Sequence, residues 1–178
     1  MKKTDSYAFL VNKLDFFKKV PLFYELKDEQ IKHILRVMEV EYFDRDEYVM
    51  REGTVGNKMF ILIEGQVEIS KSLILPEWLP VFNKQEKSLL HFSDSDHPFF
   101  GEMVMLGDTS KRSASIITKS PCIMASVTRE AFEKVATDDE NLGMRVYRNM
   151  ASEIATRLRR ANKDILKLTT ALSIALEG

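Results

Sequence analysis

Phe99-Phe100-Gly101-Glu102-Met103-Val104, followed ten positions after the glutamate by Arg112-Ser113-Ala114-Ser115, is the most informative stretch of this chain. Gly101 has no side chain and therefore allows the backbone to approach a bound group closely. Glu102 would stand at the start of a short helix, where negative charge is favourable and where its carboxylate can accept a hydrogen bond from a hydroxyl. The guanidinium of Arg112 suits an anion with two free oxygens, because its fork of donors binds paired oxygens. The stretch therefore predicts a site for a phosphate-like anion.

Short strand signals surround this stretch. Before it, apolar or alternating runs occupy residues 40–43, 48–51, 59–63 and 66–70, and after it they occupy residues 115–118 and 122–127. Gly53 and Gly65 interrupt the runs, which is typical of tight turns with positive φ. Many short strands separated by glycine-containing turns favour an antiparallel barrel or jelly roll.

Together these segments resemble the cyclic-nucleotide-binding domain, the effector domain of catabolite-activator regulators and of cyclic-nucleotide-gated channels. The resemblance is carried by the Phe-Gly-Glu-Met and Arg-Ser-Ala-Ser pair and by the barrel signature from Arg51 to Ile69. It implies a mainly β fold with flanking helices, in which a β-roll of about eight strands follows N-terminal helices and precedes a long C-terminal helix. The expected boundaries are 1–39 for the N-terminal helices, 40–127 for the β-roll and 128–178 for the C-terminal helices.

The resemblance also implies a ligand and the residues that bind it. In the family the glutamate binds the ribose 2′-hydroxyl and the arginine pairs with the cyclic phosphate, so cAMP or cGMP is the expected ligand, with no further cofactor, no metal and no catalytic residue. Another arginine, on the long helix, lies where a helix residue of the family reaches the purine. The expected ligand-binding residues are Gly101, Glu102, Met103, Val104, Arg112, Ser113 and Arg157.

Two positions depart from the family pattern, Val104 and Lys111. Lys111 stands where proline is common, and its extra charge should not hinder anion binding. Val104 stands where alanine is usual, and its extra bulk would crowd a phosphate held close to the backbone. Ser113 can donate to a phosphate oxygen or face a guanine amino group, so it does not distinguish cAMP from cGMP.

The connection across residues 71–98 is about ten residues longer than is usual in the family. It contains Trp78, the single tryptophan of the chain. One interpretation is a long β-hairpin whose tip packs its own tryptophan on the barrel. The other is an exposed patch that binds a partner.

Helical patterns lie at both ends of the chain. Apolar spacing predicts a helix from about Tyr7 to Lys19, ended by Pro21, because the residue before a proline avoids the helical region. A second helix is predicted from Lys27 to about Met38. Thr128 is a candidate N-cap for a helix after the last strand, although the Glu or Gln that completes a capping box is missing.

The C-terminal helix carries a heptad pattern. Its apolar residues are spaced alternately three and four apart: Met144, Tyr147, Ala151, Ile154, Leu158, Ala161, Ile165, Leu168 and Leu172. A stripe held over four heptads is typical of helices paired in a coiled coil, so a homodimer through this helix is expected. The alternative is a single helix folded back on its own domain, and the orientation of a dimer rests on the family resemblance.

Composition limits the remaining possibilities. The 178 residues carry a formal net charge of −1, which gives no basic footprint for nucleic acid, and the single cysteine excludes an internal disulfide. The sequence contains no run of 18 apolar residues, so no membrane span is expected. The N-terminus lacks the apolar stretch of a signal peptide, so a cytoplasmic protein is expected.

Other chemistries fit the sequence poorly. His33, His91 and His97 lack the spacing of metal ligands, and neither a Gly-x-Ser-x-Gly motif nor a P-loop is present, so no enzymatic activity is expected. DNA binding is not expected either, because a helix-turn-helix would need several tens of residues after the long helix. Two functions stay open. The first is a dimeric cyclic-nucleotide sensor that signals through its C-terminal helix, and the sequence does not identify an effector protein. The second is a degenerate domain that binds no nucleotide and serves as a dimeric interaction module.

Overall fold

The computed structural model describes residues 3–72, 86–107 and 111–177, which form two antiparallel sheets flanked by helices. The helices are α1 (Lys3–Val11), α2 (Leu14–Phe17), α3 (Asp28–Leu35), α4 (Met103–Leu106), α5 (Arg129–Asp138) and α6 (Glu140–Glu177), with 3₁₀ turns at Pro21–Phe23 and Asp94–Asp96. The strands are β1 (Glu39–Phe43), β2 (Tyr48–Met50), β3 (Lys58–Glu64), β4 (Gln66–Ser72), β5 (Glu86–Ser93), β6 (Phe99–Phe100), β7 (Ser115–Thr118) and β8 (Cys122–Thr128). The predicted mainly β fold with N-terminal helices and a long C-terminal helix is confirmed.

The two sheets enclose the core of a β-roll. One sheet has the strand order β1-β8-β3-β6 and the other has the order β2-β7-β4-β5. Strand β3 is buried on both faces: Phe60 and Leu62 point between the sheets, whereas Met59, Ile61 and Ile63 pack under the helices. This double burial explains why the strand is a continuous apolar run rather than an alternating one.

The N-terminal helices differ from the sequence prediction. The single helix predicted from Tyr7 to Lys19 is divided into α1 and α2 at Asn12 and Lys13. There the hydrogen-bond spacing changes from four residues to three, and the Lys13 amide donates to the Leu10 carbonyl at 3.0 Å. Asparagine is a weak helix former, which favours a break at this point. The prediction of one continuous helix was therefore wrong.

The long connection begins and ends as a hairpin. Strands β4 and β5 pair antiparallel from Gln66 opposite Ser93 to Ser72 opposite Glu86, with a register shift between Ile69 and Ser70. Trp78 lies outside the described residues, and so does the part of the connection to which both interpretations of this insert refer.

The first turns of α5 and α6 are fixed to the domain. Thr128 Oγ1 accepts a hydrogen bond from the Ala131 amide at 3.2 Å, which confirms the predicted N-cap of α5. Helix α6 then packs through Leu142, Val146 and Met150, all fully buried. These three positions are not predicted heptad positions, although the heptad residue Tyr147 also packs against the core. The start of α6 therefore contacts its own domain mainly through another face.

Asn149 ties α6 to the 3₁₀ turn near the N-terminus. Its side-chain amide donates to the Leu22 carbonyl at 3.0 Å and to the Tyr24 carbonyl at 2.9 Å, and the side chain is buried. We expect Asn149→Ala to lower the free energy of unfolding by about 1–3 kcal/mol, because two carbonyls lose their partner in a buried place. Urea denaturation followed by circular dichroism measures this. Asn162→Ala, on an exposed stretch of the same helix, is the matched control, and equal effects of the two changes would contradict the role of Asn149.

The heptad face is exposed from Leu158 onward, whereas Ile154 is half-buried. Leu158, Ile165, Leu168 and Leu172 have between 58% and 67% of their surface accessible. In this part of α6 the stripe therefore does not pack on its own domain, contrary to the alternative considered from the sequence. No helix within the three described segments is long and apolar enough to cross a membrane.

Candidate ligand-binding site

A cavity of about 210 Å³ lies between the β-roll, α4 and α6. Its apolar wall comes from Met50, Ile69, Phe100 and Ile116. All the residues expected from the sequence to bind a ligand line this one cavity: Gly101, Glu102, Met103, Val104, Arg112, Ser113 and Arg157. The fold thus joins two cassette segments and a helix residue that are separated by up to 56 positions in the sequence (Arg157 and Gly101).

Arg112 supplies a buried positive charge to the cavity. The residue is only 8% exposed, and its Nη1 donates to the Lys58 carbonyl at 2.8 Å. No carboxylate among the described residues forms an ion pair with it. Burial lowers the pKa of the Arg112 guanidinium, yet an arginine stays protonated in proteins. Among the described residues, the one hydrogen-bond acceptor of this buried side chain is a neutral carbonyl, which favours an anionic ligand.

Two glycines make room for the guanidinium. A Cβ added at Gly56 would lie 2.6 Å from both Nε and Nη2 of Arg112. Gly101 has a φ of +79°, and a Cβ there would lie 2.9 Å from Arg112 Nη1 and from the Lys58 carbonyl oxygen. The close approach predicted for Gly101 is therefore directed at the arginine. Gly56 was not predicted from the sequence as part of the site, because its contact is with an arginine 56 positions later.

The loop of residues 51–57 surrounds the backbone of Arg112. The Gly53 amide donates to the Arg112 carbonyl and the Arg112 amide donates to the Thr54 carbonyl, each at 2.8 Å. Because the backbone amide and carbonyl of Arg112 are both hydrogen-bonded to this loop, the loop fixes the position of the backbone from which the side chain enters the cavity.

Glu102 and Arg157 form an ion pair at the other side of the cavity. Arg157 Nη1 donates to the Glu102 carboxylate at 3.1 Å and Nη2 donates to the Phe99 carbonyl at 2.8 Å. Glu102 is only 6% exposed, whereas the Arg157 side chain is 31% exposed, so the carboxylate is buried and the guanidinium is partly open to water. Nε of Arg157 also donates to Glu153 one helical turn earlier, at 3.0 Å. Arg157 therefore connects α6 directly to the carboxylate expected to bind a sugar hydroxyl.

The remaining expected residues divide between the core and the edge of the cavity. Val104 is buried and belongs to the apolar core under the helices together with Met105. Met103 and Ser113 are exposed. Val104 thus fills space beneath the cavity as well as lining it, which accommodates the side chain that is larger than the family's usual alanine.

A larger cleft of about 440 Å³ has different chemistry. It is lined by Tyr42, Phe43, Asp44, Glu47, Glu64, Pro121, Cys122 and Ile123. Three of these described lining residues are acidic and none is a lysine or an arginine. Burial raises the pKa of the Cys122 thiol in its wall, which keeps that group neutral. The smaller cavity around Arg112 is therefore the better site for an anion, because a positive charge lines it.

Comparison with known proteins agrees with this architecture. The family model of the cyclic nucleotide-binding domain matches residues 40–139. The chain belongs to the cyclic nucleotide-binding domain family. Its matched part runs from strand β1 to the end of α5 and includes the whole cavity apart from Arg157.

Individual members of this family show how far the likeness extends. A cGMP-dependent protein kinase of Caenorhabditis briggsae is 30% identical over 130 residues, which are 72% of this chain and 16% of that kinase. A solved cyclic nucleotide-binding domain from Methylobacillus flagellatus superposes with a TM-score of 0.73 at 22% identity, covering 90% of this chain and 84% of that one. The regulatory domain of Toxoplasma gondii PKA, solved with cAMP, gives a TM-score of 0.65 at 19% identity and covers 86% and 51% of the two chains. The chain thus spans less than a fifth of the kinase, and the two solved structures show the fold alone.

Proposed function

We propose that this domain binds a cyclic mononucleotide, cAMP or cGMP, reversibly and passes the signal on through α6. The observation that carries the proposal is the buried Arg112. Its side chain lines the cavity, and it forms no ion pair with a carboxylate among the described residues. A cyclic phosphodiester has one negative charge and two free oxygens, which match the charge and the fork of this guanidinium.

The other side of the cavity suits the sugar and the base. The Glu102 carboxylate accepts a hydrogen bond from the ribose 2′-hydroxyl, and the hydrogen bond from Arg157 orients that buried carboxylate. The Arg157 guanidinium already lies 5.2 Å from the centre of the Phe99 ring, so it is placed for contact with a second flat ring. A purine entering beside it gains a cation over its face.

The signal leaves through α6 because that helix takes part in two surfaces. Arg157 lines the cavity, and Leu158, the next residue, belongs to the exposed heptad face. A nucleotide that favours one position of Arg157 therefore favours one position of the helix, by as much as its affinity differs between the two states. We place a second copy of the chain on the heptad face, which makes the sensor a homodimer.

Isothermal titration calorimetry of the purified chain with cAMP and with cGMP tests the proposal. Relatives named for cGMP and for cAMP both occur among the similar proteins, so both nucleotides are titrated, with 5′-AMP as a control that lacks the cyclic phosphate. We expect saturable binding of at least one cyclic nucleotide and none of 5′-AMP. Absence of heat and of any stabilisation by both cyclic nucleotides would favour the alternative, a dimeric interaction module that binds no nucleotide.

Arg157→Ala is expected to weaken nucleotide binding by about 0.5–2 kcal/mol, the range for a cation over an aromatic face. The change removes the contact with the base and leaves the Glu102 carboxylate without its partner. Calorimetry gives the affinity, and hydrogen exchange along residues 150–170 shows whether the response of α6 to nucleotide is reduced. Arg159→Ala, two positions further along the same helix, is the control, and equal behaviour of both variants would place the base contact elsewhere.

A further inference from the structure

Arg129, the first residue of α5, is bonded to two segments near the cavity: the loop of residues 51–57, which holds Arg112, and the end of α4. Its backbone amide donates to the Asn57 carbonyl at 2.8 Å. Its Nη1 donates to the Gly107 carbonyl at 2.9 Å. Asn57 ends the loop of residues 51–57, and Gly107 ends α4, the single helical turn that holds Met103 and Val104.

The loop side of this connection leads directly to Arg112. Gly53 and Thr54 bond the backbone of Arg112, and Gly56 contacts its guanidinium so closely that no Cβ fits between them. Asn57 is also held by α5 through its side chain, which donates to the Glu130 carboxylate at 3.1 Å. Any displacement of Arg112 toward a bound anion therefore reaches the start of α5.

Helix α5 is in turn packed closely against the start of α6. A Cβ on Gly143 would lie 2.8 Å from Ala136, so the two helices touch without intervening side chains. The rings of Phe132 and Tyr147 pack edge to face at 5.3 Å. Because interiors packed this closely deform little, α5 and α6 transmit a displacement as one unit.

The guanidinium of Arg129 is oriented within α5. Its Nε donates to the Glu133 carboxylate one turn later, at 2.7 Å. This contact leaves Nη1 directed at Gly107, across 22 positions of the sequence. Hydrogen bonds from a charged donor are roughly twice as strong as neutral ones, so the bond to Gly107 is a substantial restraint on the end of α4.

We propose that Arg129 is a positioning residue that holds the end of α4 against α5 and thereby couples the occupied cavity to α6. The inference rests on the proposed function, since it assigns a path for the nucleotide signal. Arg129 acts from outside the cavity lining: it fixes where α4 and the loop stand relative to Arg112, and it moves with the helices that carry the output.

The test compares three variants of the full chain. Arg129→Met keeps the length of the side chain but removes its donors, whereas Arg129→Lys keeps a charged donor for the Gly107 carbonyl. Lys134→Met removes the same charge from an exposed position of α5 and serves as the matched control. Each variant is titrated with cAMP and cGMP by calorimetry, and hydrogen exchange is followed at residues 103–107 and along α6 with and without nucleotide. Thermal unfolding verifies that each variant is folded.

We expect Arg129→Met to weaken nucleotide binding by about tenfold, the effect of about 1.4 kcal/mol, to speed exchange at residues 103–107 in the free chain, and to abolish the nucleotide-induced change in α6. Arg129→Lys should restore most of the α6 response, and Lys134→Met should match the wild type.

Wild-type affinity together with a full α6 response in Arg129→Met would overturn the coupling role alone. A wild-type chain that binds neither nucleotide would overturn the proposed function and the coupling role with it. If Arg129→Met does not fold, Glu133→Ala takes its place, because it removes the carboxylate that orients Arg129. A weakened α6 response in Glu133→Ala then supports the role, and a response equal to wild type overturns it.

Discussion

Arg112→Ala is expected to lower the affinity for a cyclic nucleotide by about 2–4 kcal/mol, the scale for leaving a buried charge without its partner. The cavity offers the phosphate one buried cation, and alanine supplies neither its charge nor its paired donors. Calorimetry with the nucleotide that binds the wild type measures the loss. Equal affinity of wild type and variant would remove Arg112 from the site.

Two further variants separate the charge of Arg112 from its shape. Arg112→Lys keeps the charge but loses the fork that matches two phosphate oxygens, so an intermediate loss of affinity is expected. Lys111→Ala removes the same charge one residue earlier, at an exposed position, and should have a much smaller effect because water screens exposed charges. A uniform loss across all three variants would indicate a general field rather than a specific pair.

The stability of the free chain should respond differently from its affinity. From the sequence, Arg112 would be an unpaired arginine in water, whereas the structure buries it and bonds it to the Lys58 carbonyl. Removing the guanidinium forfeits this bond but also removes the desolvation cost of a buried charge. The two effects oppose each other, so the free energy of unfolding should change by less than about 1 kcal/mol.

The strands and the cassette were predictable from the sequence because their signals are local. A continuous apolar run such as that of β3 and the alternation in β4 each depend on a few adjacent residues. The spacing from Glu102 to Arg112 likewise lies within one short segment. The N-cap at Thr128 was found for the same reason.

Features that depend on contacts between distant segments were not predictable. Gly56 matters because its backbone faces a guanidinium 56 positions later, and no local pattern shows this approach. The pair between Arg157 and Glu102 depends on where α6 crosses the cavity. At the start of α6 the buried positions Leu142, Val146 and Met150 compete with the heptad positions, and packing on the domain decides between them.

Replacing Leu158 and Ile165 together by Glu is expected to convert the proposed homodimer into a monomer. Both side chains lie in the middle of the exposed heptad face, at 59% and 58% exposure in the single chain. Across a two-fold axis the new carboxylates would face each other in an apolar layer, where like charges and buried charges are both unfavourable. Sedimentation velocity measures the change in mass, and circular dichroism should show an intact β-roll, because neither residue contacts its core.

A control on the same helix tests whether the position matters rather than the added charge. Leu166 and Ile174 are equally exposed, at 67% and 68%, but lie off the heptad positions. Leu166→Glu with Ile174→Glu introduces the same two charges into the same length of α6 and should leave the dimer intact. A wild-type chain that is monomeric at tens of micromolar would contradict the dimer. Dissociation by both double variants would instead indicate an interface that surrounds the helix, because residues 165–176 present apolar side chains on several faces.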